Sequence, residues 1–67
     1  MKIKINGNWR ELKQGSQLYV LLKELLIDQK GGVAVAVNAT VIQRKDWSQY
    51  ELHENDEVII IEAAQGG

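Results

Sequence analysis

The sequence predicts an α+β fold in which one helix packs on one face of a mixed sheet, in the order ββαββ. Three observations carry this expectation. Residues 1–5 alternate apolar and charged side chains up to an Asn6-Gly7 turn signal. Leu18, Leu21, Leu22 and Leu25 recur at helical spacing, with Lys23 and Glu24 on the other side. Residues 33–37 and 58–62 then read as strands, the second of them apolar on both faces, as suits a central position.

Taken in order, the opening strand turns at Asn6-Gly7 or Gly7-Asn8, where a two-residue hairpin loop needs positive φ. The return strand covers residues 8–12. With either loop, Ile3 and Ile5 share a face with Arg10 and Leu12, and Lys2 and Lys4 share the other with Trp9 and Glu11. Trp9 is therefore expected on the outer face, covering lysine stems or belonging to a docking surface. Gly15-Ser16 breaks the pattern, with Ser16 as the expected helix N-cap and Tyr19 where a full capping box would have Glu. Gly31-Gly32 is expected to end the helix, and its leucine stripe is core.

In residues 33–37 valine alternates with alanine, so the bulky side faces the helix and Ala34 and Ala36 face out. Asn38-Ala39 turns the chain into a short strand, residues 40–42. In the polar segment of residues 43–49, Trp47 packs a short helical turn against the core. After a last turn at Asn55-Asp56, Val58 and Ile60 point to the helix and Ile59 and Ile61 to the outer face beside Ala34 and Ala36. This order is the β-grasp, or ubiquitin-like, arrangement. Helix covers one sheet face only, and apolar residues on the uncovered face usually mark a binding surface.

Composition narrows the functions. Sixty-seven residues make one domain, small for a core without staples. Cysteine is absent, which excludes disulfides, iron–sulfur clusters and thiolate metal sites. The single histidine, His53, sits between Glu51 and Glu54 in what reads as a solvated turn, so no metal site is expected. A net charge of -1 argues against nucleic acid. Lys2, Lys4, Arg10, Lys13, Lys23 and Lys30 dominate the first half, and Asp46, Glu51, Glu54, Asp56, Glu57 and Glu62 the end. That asymmetry is an ordinary solvated surface, or an acidic side that steers the end of the chain to a basic partner. No basic leader opens the chain and no apolar run nears the ~20 residues of a membrane span. A soluble cytoplasmic protein without membrane attachment is expected.

The chain divides into a folded unit, residues 1–62, and a flexible C-terminal tail, residues 63–67: Ala63, Ala64, Gln65, Gly66 and Gly67. The tail is either a frayed end or the working part of the protein. Glycine lacks a β-carbon, so a Gly-Gly end enters channels closed to other residues. Five extended residues reach roughly 15 Å at ~3.3 Å each, enough to enter a partner's active site. The free carboxylate of Gly67, once joined to AMP, becomes a good electrophile for sulfur or amine nucleophiles.

From end to end the chain resembles the ThiS family, the sulfur carriers of thiamine thiazole biosynthesis. The matching features are the opening strand into Asn6, the Gly15-Ser16 helix start, and Val35-Ala36-Val37-Asn38. Arg44 three residues before Trp47, Leu52 four before Asp56, Val58, Ile60 and the terminal Gly66-Gly67 continue the match. Gln43 and Asn55 depart from the proline and glycine common at those positions; Asn tolerates positive φ. The resemblance implies that a ubiquitin-activating (E1-like) adenylyltransferase spends ATP to adenylate Gly67. A persulfide donor of cysteine-desulfurase type then leaves a thiocarboxylate there, and a thiazole synthase takes the sulfur. On this reading the chain is a cosubstrate, not an enzyme, with no catalytic residues and no bound cofactor. Ala63, Ala64, Gln65 and Gly66 enter the partner's active site, and Trp9, Ala34, Ala36, Ile59 and Ile61 form the docking face. Three alternatives stay open: a sulfur carrier for molybdopterin, a modifier conjugated to lysines, and a β-grasp interaction or regulatory module whose Gly-Gly end is accidental.

Overall fold

Asn6 and Gly7 adopt φ of 48° and 87° in the computed structural model, the left-handed pair that a two-residue hairpin loop requires. The structure describes residues 1–63; Ala64, Gln65, Gly66 and Gly67 lie outside the described residues. The loop joins β1 (Lys2–Ile5) to β2 (Asn8–Glu11). Lys2 pairs with Glu11, Ile3 with Arg10 and Lys4 with Trp9, so the expected division of faces holds. Ile3 is fully buried, whereas Trp9 lies exposed with the Lys4 ammonium 5.6 Å from its ring centroid. Arg10, on the helix side, reaches Glu24 at 3.3 Å.

Helix α1 is Leu18–Glu24, shorter at both ends than the sequence suggests. Ser16 is not its cap. The Ser16 hydroxyl donates to the Lys13 carbonyl (2.7 Å), and Gln17 stands at the N-cap without a side-chain cap bond. Two of the free N–H groups of the first turn are satisfied from across the fold instead. Leu18 N–H donates to the Tyr50 carbonyl (2.8 Å) and Tyr19 N–H to the Trp47 carbonyl (3.0 Å). Distant backbone thus does the work of a side-chain cap.

Nor does Gly31-Gly32 end the helix. Leu26 turns left-handed, φ 62°. Its N–H bonds the Lys23 carbonyl, and Ile27 N–H bonds the Leu22 carbonyl (3.1 Å). This is the Schellman pattern, with leucine in the place usually held by glycine. Burial of Ile27 in the core sets the position of the stop. Gly32, φ 74°, serves the loop that leads into the next strand.

That strand, β3 (Val33–Val37), turns through Asn38 and Ala39 (φ 50° and 70°) into β4 (Thr40–Ile42). A 3-10 turn, Arg44–Asp46, delivers Trp47 to the core, where its indole N–H donates to the Ile42 carbonyl (3.0 Å). Asn55, φ 68°, precedes β5 (Glu57–Glu62). Strand β5 runs parallel to β1 and antiparallel to β3, giving the sheet order β2-β1-β5-β3-β4. The described chain has the expected β-grasp architecture. Ile3, Leu18, Leu21, Leu22, Val35, Val37, Leu52 and Val58 are the most deeply buried side chains, between helix and sheet.

Leu26 is 81% exposed, so its side chain returns little for a left-handed conformation that costs roughly 1–2 kcal/mol in a non-glycine residue. Leu26→Gly removes that strain and adds unfolded-state entropy that offsets part of the gain. A net stabilisation of ~0.5–1 kcal/mol is expected, read as a rise of roughly 3–6 °C in the thermal midpoint. A lower midpoint would mean that the leucine side chain makes contacts worth more than its strain.

Candidate docking face and root of the tail

Strand β5 alternates strictly. Val58 is buried and Ile60 packs against the core, which turns Glu57, Ile59 and Ile61 outward. The register with β3 places Ala36 opposite Ile59 and Ala34 opposite Ile61. Because alanines flank them, the isoleucines stand proud of the sheet, Ile59 39% and Ile61 61% exposed. Val41 extends the patch from β4: it pairs with Ala36 and is 70% exposed. Sequence reasoning missed Val41, although Ile42 pointing inward already implies by the period of two that Val41 points out.

Of the five residues expected to form a docking face, the structure brings Ala34, Ala36, Ile59 and Ile61 together. Trp9 shares their face but stands apart. It lies on the edge strand β2, in the row Trp9–Lys4–Glu57, with β1 between it and β5. The outward side chains of β1 are lysines, so the apolar patch does not reach the indole without crossing charge. The contact of Lys4 with the ring is a cation–π pair, worth ~0.5–1 kcal/mol at an exposed site.

Two turn asparagines hold β5 in this pose. At one turn, Asn6 Nδ2 donates to the Ile60 carbonyl (3.1 Å) and Ile60 N–H donates to Asn6 Oδ1 (2.8 Å). The side-chain amide thereby lengthens the short β1–β5 ladder beyond the Ile5–Val58 pair. At the other, Glu57 N–H donates to Asn38 Oδ1 (3.0 Å), and Asn38 Nδ2 donates to the Asp56 carboxylate (2.9 Å). Asp56 also accepts from His53 N–H at 2.7 Å, which makes this buried carboxylate a turn brace.

The root of the tail is tied to the loop between α1 and β3. Ala63 N–H donates to the Gly32 carbonyl (2.8 Å), and the Lys30 ammonium lies 3.2 Å from the Glu62 carboxylate. The rest of the predicted tail, with Gly67 as the expected reactive residue, lies outside the described residues. Among the described residues no group of three or more His, Cys, Asp or Glu side chains is arranged to hold a metal ion. No described helix is long and apolar enough to cross a membrane.

Comparison with known proteins bears on this arrangement directly. The model of the ThiS family matches residues 3–67. The chain belongs to the ThiS family. One relative, the sulfur carrier protein ThiS of Escherichia coli (strain K12), is 28% identical over 68 residues, covering all of both chains. The crystal structure of the thiamine biosynthesis protein ThiS from Geobacter metallireducens superposes with a TM-score of 0.83, at 23% identity and full coverage of both chains. An NMR structure of a thiamine biosynthesis protein from that organism gives 0.79 at 23% identity, covering all of this chain and 88% of the other. At that identity the two structures speak for the fold, and the fold is the ThiS β-grasp.

The Asn6 bracket separates two roles of one residue, left-handed turn and extra strand partner. Asn6→Gly keeps the turn and deletes the bracket. It is expected to destabilise the fold by about 1 kcal/mol for the lost hydrogen bonds and to speed amide exchange at Ile60 ahead of Val35. Unchanged exchange at Ile60 would show that the bracket contributes nothing.

Proposed function

We propose that this ThiS-family chain is a sulfur carrier protein of thiamine thiazole formation, with the Gly67 carboxylate as its reactive group. The observation that carries the reading is the likeness to the E. coli sulfur carrier over the full length of both chains. The described geometry supports it. The central strand leads to Glu62, and the same strand exposes Ile59 and Ile61 beside two alanines. A partner that seats on this patch has the following segment beside it.

On this reading an E1-like adenylyltransferase docks on Ala34, Ala36, Ile59 and Ile61, and Ala63, Ala64, Gln65 and Gly66 thread its channel. A Gly67 carboxylate oxygen attacks the α-phosphorus of ATP and pyrophosphate leaves. A persulfide sulfur then attacks the acyl carbon and expels AMP, and thiol cleavage of the resulting acyl disulfide leaves the thiocarboxylate. Thiazole synthase accepts the sulfur. The chain acts as a cosubstrate in the cytoplasm, carrying no cofactor of its own and no catalytic side chain. Thiamine is favoured over molybdopterin because the ThiS family model matches residues 3–67 and the E. coli relative is a ThiS sulfur carrier.

Two experiments test the proposal. Deleting Gly67 withdraws the carboxylate by about one residue length, ~3.5 Å, well outside the tolerance for in-line attack. ATP–pyrophosphate exchange with the cognate adenylating enzyme is expected to vanish while the circular dichroism spectrum stays unchanged. Rescue of thiazole-dependent growth by the truncated chain would end the carrier reading in favour of an interaction module. Separately, Ile61→Glu places a charge on an exposed position and leaves the core intact. It is expected to weaken binding to the adenylating enzyme at least tenfold with little change in melting; unaltered binding would remove this face from the docking surface.

A further inference from the structure

Arg44 makes contacts that neither the sheet nor the docking face explains. The residue lies at the surface, yet both terminal nitrogens of its guanidinium donate to main-chain carbonyls. Nη1 donates to the Asp28 carbonyl (2.8 Å) and Nη2 to the Lys30 carbonyl (2.5 Å). Its central carbon sits 4.4 Å from the ring centroid of Trp47. Trp47 is 2% exposed and tethered by its indole N–H to Ile42, so the guanidinium rests on a buried, hydrogen-bonded ring. One planar fork thus takes two main-chain carbonyls two residues apart, a geometry lysine cannot supply.

The loop that Arg44 holds is the one to which the tail root is tied. Gly32 accepts from Ala63 N–H, and Lys30 pairs with Glu62. The Lys30–Glu62 pair is exposed on both sides and holds little by itself. A continuous set of contacts therefore runs from the core through Trp47 and Arg44 to loop 28–32, and from there to the amide of Ala63. We propose that Arg44 is a positioning residue that sets the direction in which the chain leaves the fold after Ala63. This rests on the carrier reading above: with the partner seated on the sheet face, the exit direction at Ala63 decides where the Gly67 carboxylate arrives.

The test compares the full-length wild-type chain, Arg44→Ala and Arg44→Lys, with the Gly67 deletion as control. Amide exchange by NMR should show protection at Ala63 falling roughly tenfold in Arg44→Ala, with Ile60, which is held by Asn6, unchanged. In ATP–pyrophosphate exchange with the cognate adenylating enzyme, kcat should fall about tenfold while KM for the carrier stays within twofold. Docking uses the sheet face, which the substitution leaves alone. Arg44→Lys keeps the charge but loses the fork, and should fall between the two. Should Arg44→Ala fail to fold, Arg44→Lys decides by the same readouts. Wild-type turnover and wild-type Ala63 protection in the variants would overturn the proposal. So would a uniform loss of protection along the sheet, which would make Arg44 a stabilising residue only. An active Gly67-deleted chain would instead sink the carrier reading, leaving the exchange at Ala63 to report on the clamp alone.

Discussion

Strand β5 is hydrogen-bonded along both edges, to β1 in parallel and to β3 antiparallel, and the molecule depends on that double pairing. A parallel neighbour cannot be reached by a tight turn, so the helix, β3, β4 and the Trp47 segment all intervene between β1 and β5. The pairing to β3 fixes which residues of β5 point away from the helix. Since Ala34 and Ala36 are the facing residues, Ile59 and Ile61 are left as the relief of the uncovered face. The same strand ends at the loop that receives Ala63 N–H. One element thus builds the core, presents the apolar patch and carries the chain to its terminal segment.

The polar groups that secure β5 come from turns rather than from other strands. Asn6 and Asn38 both occupy left-handed positions, which asparagine tolerates better than other side-chain-bearing residues. Both then use their amides to bond the backbone of β5 or its entry turn. A glycine at either place would satisfy the turn and forfeit the brace. The buried carboxylate of Asp56, with Asn38 and His53 N–H as donors, is accounted for in the same way. Its contacts brace the turn that leads into β5.

Much of this was legible in the chain. Alternation in residues 1–5, 33–37 and 58–62 assigned inner and outer faces, Asn6-Gly7 was one of two loops expected to take positive φ, and Asn38-Ala39 marked a turn whose left-handed φ values the structure supplied. The placement of Ile59 and Ile61 beside Ala34 and Ala36 followed from the same period of two. Trp9 was placed on the correct face but not in its correct neighbourhood. A pattern along one strand does not say which strand lies next to it.

What the sequence determined by itself is therefore whatever depends on near neighbours: element type, face, turn conformation and the leucine stripe of the core. The tertiary structure alone decided where the helix begins and ends. Its first donors go to the carbonyls of Tyr50 and Trp47, more than a turn of chain away in any local reading, so Ser16 was free to bond Lys13 instead. Its end falls at Leu26, because burying Ile27 outweighs the strain of a left-handed leucine. The clamp of Arg44 on loop 28–32 belongs to the same class. Backbone carbonyls carry no sequence signature, and a side chain that seeks them is located only when the fold brings them within reach.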